Sequence, residues 1–351
     1  MEDGTDALLD ATTAMVPPLL RALDGLAAAA RHLHPQELST LVEALAPLSQ
    51  PLSDGLGIFR AAAWPDRLQF FETQSRTAAE LTLQALDGFQ ACLTRANPLL
   101  GAFRALGLQA RAVEAFYPVA FMLPPVNGFF LDAERRGDRE LQARLMEADL
   151  QRDDVGVMHA DNDYEQRGGF SLYVPEYYQP AQAMPLVVAL HGGSGHGRSF
   201  LWSWLREARS RGAIVIAPTA LADTWSLMDP DLDAGNLLAM VDHVRSVWRV
   251  DEQRMLLTGM SDGGTYAYLA GLRADSPFTH LAPVSATFHP MLLEAASPGR
   301  LAGLPVYLVH GALDWMFPVQ MARLARDALT AAGAEVVYRE LADLSHTYPR
   351  E

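Results

Sequence analysis

Along residues 1 to about 150, apolar positions recur three and four apart, the period of a helix with one buried face. Leu19, Leu20, Leu23, Leu26, Ala27 and Ala30 mark a first helix. Pro17 and Pro18 read as its opening turn, where a missing N–H has no intrahelical partner to lose. A second helix is predicted from near Pro35 (Leu38, Leu41, Val42, Leu45), stopping before Pro51. A longer one opens after Trp64-Pro65 and carries Leu68, Phe71, Ala78, Leu81, Leu83, Leu86 and Phe89. Another spans roughly Pro98 to Phe116, and a charged helix is expected from Asp132 to Leu150. No repeat period is evident.

Beyond residue 152 the pattern changes. Val155–His159 and Gly169–Pro175 read as two strands around a polar turn, Asp161 to Arg167. Short apolar runs then alternate with amphipathic stretches. The predicted strands are Leu186–Leu190, Ala213–Ala217, a run beginning at Met255, Leu281–Ser285, Val306–Val309 and Glu335–Leu341. The predicted helices are Ser199–Arg211, Asp233–Trp248, Thr265–Arg273 and Pro318–Ala332. Such alternation implies a mostly parallel sheet covered on both faces, with the opening hairpin adding antiparallel strands at one edge. The expected organisation is therefore an all-helical domain over 1–152 followed by an α/β domain over 153–351.

Composition narrows the partners more than the fold. Half of the 351 residues are hydrophobic, and the formal net charge is −15. That balance argues against nucleic acid and anionic membrane, which select for basic surfaces. The one cysteine, Cys92, excludes an intrachain disulfide framework, and its apolar helical neighbours mark it as a small core residue. The acidic N-terminus lacks the basic and apolar regions of a signal peptide. No apolar run approaches the roughly 18 residues of a membrane span. The longest, Ala115 to Val126, is broken by Pro118, Pro124 and Pro125. A soluble, cytoplasmic protein is expected. Neither His-Glu-x-x-His nor paired cysteines occur, so no metal and no cofactor are expected.

The candidate chemistry centres on Gly259-Met260-Ser261-Asp262-Gly263-Gly264. An apolar strand before a Gly-x-Ser-x-Gly turn and a helix after it form a nucleophile elbow, a sharp bend that lifts a serine hydroxyl out of a sheet. Gly259 and Gly263 face one another across the bend, where a Cβ on either would clash. The same pattern also occurs in ordinary loops around inert serines, so the rest of a catalytic set is needed.

A serine hydroxyl needs a general base, and the base needs an orienting group. After an elbow the order is serine, acid, histidine. His346 follows the last strand, where a loop brings it over the elbow. His310 precedes the acid and reads as shaping a glycine turn, and His280 and His289 read as surface or core residues. Asp314 lies just past a strand end and before a helix, where it also suits an N-terminal cap. Asp343, on the histidine loop, is the rival acid. Preset donors for an oxyanion are expected from the N–H groups of Gly193 and Asp262, with Ser194 as a third candidate, because Gly192-Gly193-Ser194-Gly195 follows the Leu186–Leu190 strand. His191 reads as holding that loop. Trp225 reads equally as a pocket wall or as packing. Phe121 and Met122, in the aromatic and apolar stretch Phe116 to Pro125, read as core or as part of an acyl or alcohol pocket.

Four ordered motifs carry a resemblance: Leu190-His191-Gly192-Gly193; Val250-Asp251 leading to Gly259–Gly264; His310-Gly311-Ala312-Leu313-Asp314; and Ser345-His346. Residues 153–351 resemble the α/β-hydrolase superfamily, most of all the phospholipase/carboxylesterase and polyhydroxybutyrate-depolymerase-like esterases. The resemblance implies an α/β-hydrolase fold and hydrolysis of small-molecule carboxylic esters by a Ser261–Asp314–His346 triad. Thioesterase or peptidase chemistry, or a non-catalytic binding protein retaining the fold, are the alternatives. Such hydrolases usually continue into a final helix after the histidine. Here the sequence stops at Glu351, so either it is truncated or an N-terminal helix covers that edge. The helical domain matches no motif; a lid, a pocket wall or a homo-oligomer surface are the roles open to it.

Overall fold

In the first part of the chain each long helix has a stripe of apolar side chains to bury. The computed structural model describes residues 2–294 and 296–349. It contains α1 (Glu2–Arg31), α2 (Leu38–Ala61), α3 (Gln69–Gln90) and α4 (Pro98–Phe116), followed by the short α5 (Pro124–Phe129). α1 packs on α2 and α3 on α4. Met15, Leu19, Leu23, Leu26, Leu52, Phe59, Leu86 and Phe89 are fully enclosed. Cys92 is buried too, in a 3-10 turn after α3.

Three prolines, Pro17, Pro18 and Pro51, correct the expected helix ends. Pro17 and Pro18 lie inside α1, and Pro47 and Pro51 lie inside α2. An interior proline costs about 3 kcal/mol, but here the apolar stripe runs on through it. Ala11, Met15 and Leu19 continue across Pro17, while Leu45, Leu52 and Leu56 continue across Pro51. Pro18 also leaves the carbonyl of Ala14, four residues back, without its helical partner. α2 comes close to that carbonyl: a Cβ on Gly55 would stand 2.4 Å from Ala14 O.

The chain forms two compact units, one ending at Ala133 and the other beginning at Glu134. The division lies ahead of the first strand, so α6 (Arg139–Met146) goes with the sheet. α6 is shorter than the expected Asp132–Leu150 helix. Asp138 caps it, accepting from the N–H groups of Glu140 and Leu141, and so starts the helix afresh after Gly137.

The second unit is built on β1 (Gly156–Ala160), β2 (Phe170–Val174), β3 (Met184–Leu190), β4 (Ile214–Pro218), β5 (Val250–Met260), β6 (His280–Val284), β7 (Pro305–Gly311) and β8 (Glu335–Leu341). They form one eight-stranded sheet in the order β1-β2-β4-β3-β5-β6-β7-β8. β1–β2 and β2–β4 are antiparallel, and the remaining pairs are parallel. The connections contain α7 (Gly197–Phe200), α8 (Leu205–Arg211), α9 (Asp231–Val247), α10 (Asp262–Gly271), α11 (Met291–Glu294) and α12 (Gln320–Ala331). β4 is buried along its whole length and β3 nearly so. Both faces of the central strands are therefore covered, as parallel strands require. β5 starts earlier than its apolar run because Asp251 to Arg254 are polar and largely exposed. Chain order reverses at β3, whose neighbours are β4 and β5. Crevices form at such reversals, outside the carboxyl ends of the strands. Among the described residues no helix is long and apolar enough to cross a membrane.

Candidate active site

Ser261 stands alone between β5 and α10, at φ 56° and ψ −122°. A non-glycine residue held there costs about 1–3 kcal/mol and persists only where its surroundings dictate it. The surroundings do so. The Ser261 N–H donates to Val284 O at 3.0 Å, and its carbonyl accepts from the Thr265 N–H at 2.9 Å. The two flanking glycines leave no alternative residue. A Cβ on Gly259 would lie 2.4 Å from Gly263 O, and one on Gly263 would lie 2.4 Å from His191 O. Ser261 is 7% exposed.

The loop after β7 carries Asp314, and the segment after β8 carries His346. Nδ1 of His346 lies 2.9 Å from Asp314 Oδ2 and 3.0 Å from Oδ1. Asp314 Oδ1 also accepts from the N–H groups of Met316 and Phe317. The helix cap considered for Asp314 is not formed, because α12 starts at Gln320 with Val319 as its N-cap and no side-chain cap; the carboxylate closes the turn ahead of the helix and meets the imidazole. Burial pushes the Asp314 carboxyl up. The hydrogen bond and charge of His346, the Phe317 N–H and nearby His310 outweigh burial and hold it below the usual range. Asp343 is exposed on the histidine loop, and the carboxylate at Nδ1 is that of Asp314. The Phe317 ring meets the imidazole edge-on at 5.2 Å. His310 donates from Nε2 to Phe317 O at 2.8 Å and so fixes the turn around the acid. Among the described residues no hydrogen bond joins the Ser261 hydroxyl to the His346 ring.

On the other side of Ser261, the loop after β3 is held by the loop after β4. His191 Nε2 accepts from the Ala220 N–H at 3.1 Å, so its hydrogen sits on Nδ1 and points to Gly192 O at 2.7 Å. Burial lowers this imidazole to about 4, and at neutral pH it is uncharged. The Trp225 indole donates to His191 O at 2.8 Å and stacks on Tyr266. Trp225 is 3% exposed. The Ser194 N–H donates to Asp223 O at 2.9 Å, so only the hydroxyl of Ser194 remains to act as a donor. The N–H groups of Gly193 and Asp262 meet no acceptor among the described residues. The Asp262 carboxylate accepts from Thr224 Oγ1 at 2.6 Å and lies against Gly193, where a Cβ would come within 2.7 Å of it. Asp233 closes the β4 loop by accepting from the N–H groups of Leu221 and Ser226.

Arg167, from the β1–β2 turn, donates to Ala220 O, Gly195 O and Ala222 O, gripping both loops with one guanidinium. Neither Arg167 nor Thr224 stood out in the sequence. Their partners are on distant loops, and no local pattern announces them. In the helical unit, the Phe121 ring packs edge-on to Tyr117 at 5.9 Å, and Met122 is 43% exposed. Among the described residues no group of three or more His, Cys, Asp or Glu side chains is gathered as metal ligands would be.

No family model matches the chain. One curated relative, the bifunctional acetylxylan esterase/xylanase XynS20E of Neocallimastix patriciarum, is 28% identical over 160 residues, 44% of this chain. The matched stretch spans 23% of that protein's length. Among solved structures, a thermostable esterase aligns over 54% of this chain and 55% of its own, at 24% identity and a TM-score of 0.42. FphF, a fluorophosphonate-binding serine hydrolase of Staphylococcus aureus, aligns over 55% of this chain and 91% of its own, at 16% identity and a TM-score of 0.43. Esterase 2 of Thermogutta terrifontis aligns over 55% and 85%, at 20% identity and a TM-score of 0.40. With its strand order, two antiparallel pairings at one edge and an elbow after β5, the second unit has the α/β-hydrolase fold.

Proposed function

We propose that this chain is a serine esterase that cleaves carboxylic esters through an acyl-enzyme. The observation that carries the reading is the buried Asp314–His346 pair, in which both carboxylate oxygens meet Nδ1. It lies on loops at the carboxyl ends of the strands, where Ser261 also follows β5. With Nδ1 committed to the carboxylate, Nε2 is left as the base.

In this mechanism Nε2 of His346 takes the Ser261 proton as Oγ bonds to the ester carbonyl carbon, and the carbonyl electrons move onto oxygen. The N–H groups of Gly193 and Asp262 receive that oxyanion, with the Ser194 hydroxyl as a third donor. As the intermediate collapses, the carbon–oxygen bond to the alcohol breaks, and His346 hands its proton to the leaving oxygen. Water, deprotonated by the same ring, then releases the acid and restores Ser261. Asp314 keeps the imidazole in one tautomer and offsets its positive charge throughout. In this reading the Ser261–His346 hydrogen bond forms as substrate binds, since such bonds tighten in the Michaelis complex.

A fluorophosphonate probe and p-nitrophenyl acetate test the reading together. Wild type is expected to take one label and to turn over the ester, and Ser261→Ala to do neither. Folded wild-type protein that takes no label and releases no p-nitrophenol would overturn it. A panel adding acyl-thioesters, aminoacyl amides and acetylated xylan fragments separates the substrate classes.

A further inference from the structure

Ser261 and His346 belong to elements far apart in sequence, and Asp314 fixes only one side of the imidazole. A second tether runs from the histidine segment to the elbow strand itself. Tyr348, two residues past His346, places its hydroxyl 3.0 Å from Trp204 Nε1 and 2.8 Å from Thr258 Oγ1. Thr258 is fully buried in β5, three residues before Ser261. Its own hydroxyl lies 2.6 Å from Ala282 O, on the partner strand β6 in register with it.

The direction of this chain of bonds follows from its ends. An indole N–H can only donate and a backbone carbonyl can only accept. Trp204 therefore donates to the Tyr348 oxygen, and Thr258 donates to Ala282 O. The Tyr348 proton is left for Thr258 Oγ1, and every donor in the series is used once. The Tyr348 ring is set by Phe200, edge-on at 5.3 Å, and by the Trp204 indole. Burial pushes the phenol above its ordinary value, so the proton stays in place across the working pH range of a serine hydrolase. On its other flank the segment is tied to the acid loop, because the Leu313 N–H donates to Leu344 O.

We propose that Tyr348 is a positioning residue for the base: its hydroxyl pins the segment bearing His346 to the strand bearing Ser261, and so limits how far Nε2 must move to reach Oγ in both half-reactions. The inference rests on the triad reading above. It differs from general packing because it lives in one oxygen atom, which phenylalanine lacks while keeping the ring.

The experiment compares Tyr348→Phe, Thr258→Val and the double variant with wild type, using p-nitrophenyl acetate well below the unfolding transition. Tyr348→Phe removes the bonds to Trp204 and Thr258, and Thr258→Val those to Tyr348 and Ala282; acting only on alignment, each predicts about a tenfold fall in kcat with KM within about twofold. Fluorophosphonate labelling is expected to slow in proportion. Both single changes break the Tyr348–Thr258 bond, so the double variant is expected to lose clearly less than the product of the two single losses. Trp204→Phe, which leaves Tyr348 and Thr258 intact, is expected to give a smaller loss of the same kind and covers the case of a variant that does not fold. Unchanged kcat and labelling in Tyr348→Phe with only a lower Tm would overturn the inference, as would multiplicative losses in the double variant. In either case a dead Ser261→Ala leaves the triad reading standing. An active Ser261→Ala removes both.

Discussion

On one side of Ser261 a carboxylate grips an imidazole directly, through two short contacts to a single ring nitrogen. On the other side, the loop around Gly193 is held through its own backbone, by His191, Trp225 and Arg167 and by a carbonyl of the β4 loop. The first arrangement concentrates its effect in one bond. The second spreads it over several contacts, none of which touches a reacting atom. Substitutions on the acid side should therefore behave almost as switches, and those on the loop side should be graded.

The largest effect is expected from Asp314→Asn. An amide nitrogen beside Nδ1 favours the wrong tautomer, and a loss of about 10⁴ in kcat is expected, read from ester hydrolysis with KM little changed. Next comes Gly193→Ala. Its Cβ would press on the Asp262 carboxylate and disturb two proposed oxyanion donors at once. Loss of one such donor costs about 10²–10³ in kcat, and the variant should fall in that range. A loss as large as that of Asp314→Asn would erase the contrast between the two sides.

His191 sharpens the comparison through stability. Its imidazole has an ordinary value near 6.5 and is lowered to about 4 by burial. Between those pH values the unfolded chain holds a proton that the folded one does not, so stability falls as pH drops from 6.5 to 4. Above that window this group adds no slope, and below it the loss is complete and constant. The full span corresponds to up to about 3 kcal/mol. Urea unfolding of wild type and His191→Gln at several pH values checks it, with the slope in that window shrinking in the variant. The smallest effect is expected from Arg167→Lys. An ammonium cannot reproduce a planar grip on three carbonyls, and about a tenfold fall in kcat is expected. Recovery of wild-type kcat in the lysine variant would show that charge alone suffices.

The strands were legible because their apolar runs are short and bounded; the expected Glu335–Leu341 coincides with β8. The elbow was legible because its glycines serve local sterics. Chain order allowed both Asp314 and Asp343; the place of Asp314 just past a strand end, against Asp343 on the histidine's own loop, favoured the residue that meets Nδ1. What the sequence hid is non-local. Helical stripes running past Pro17, Pro18 and Pro51 outweigh the local breaking signal, and only packing shows it. Arg167 reads as a polar turn residue, and Tyr348 as one more aromatic. The partners that give them meaning are carbonyls and hydroxyls contributed by other loops and strands.

The grip of Arg167 has a consequence for protein engineering. Exposed hairpin tips at a sheet's margin are ordinarily the places where chains tolerate nicking, grafted peptides and new termini. The tip between β1 and β2 is such a place, yet its last side chain braces the loops after β3 and β4, the first of which carries the proposed oxyanion donor Gly193. A fusion or permutation point there would be felt in turnover before it was felt in folding, and splice sites are better sought elsewhere on the surface.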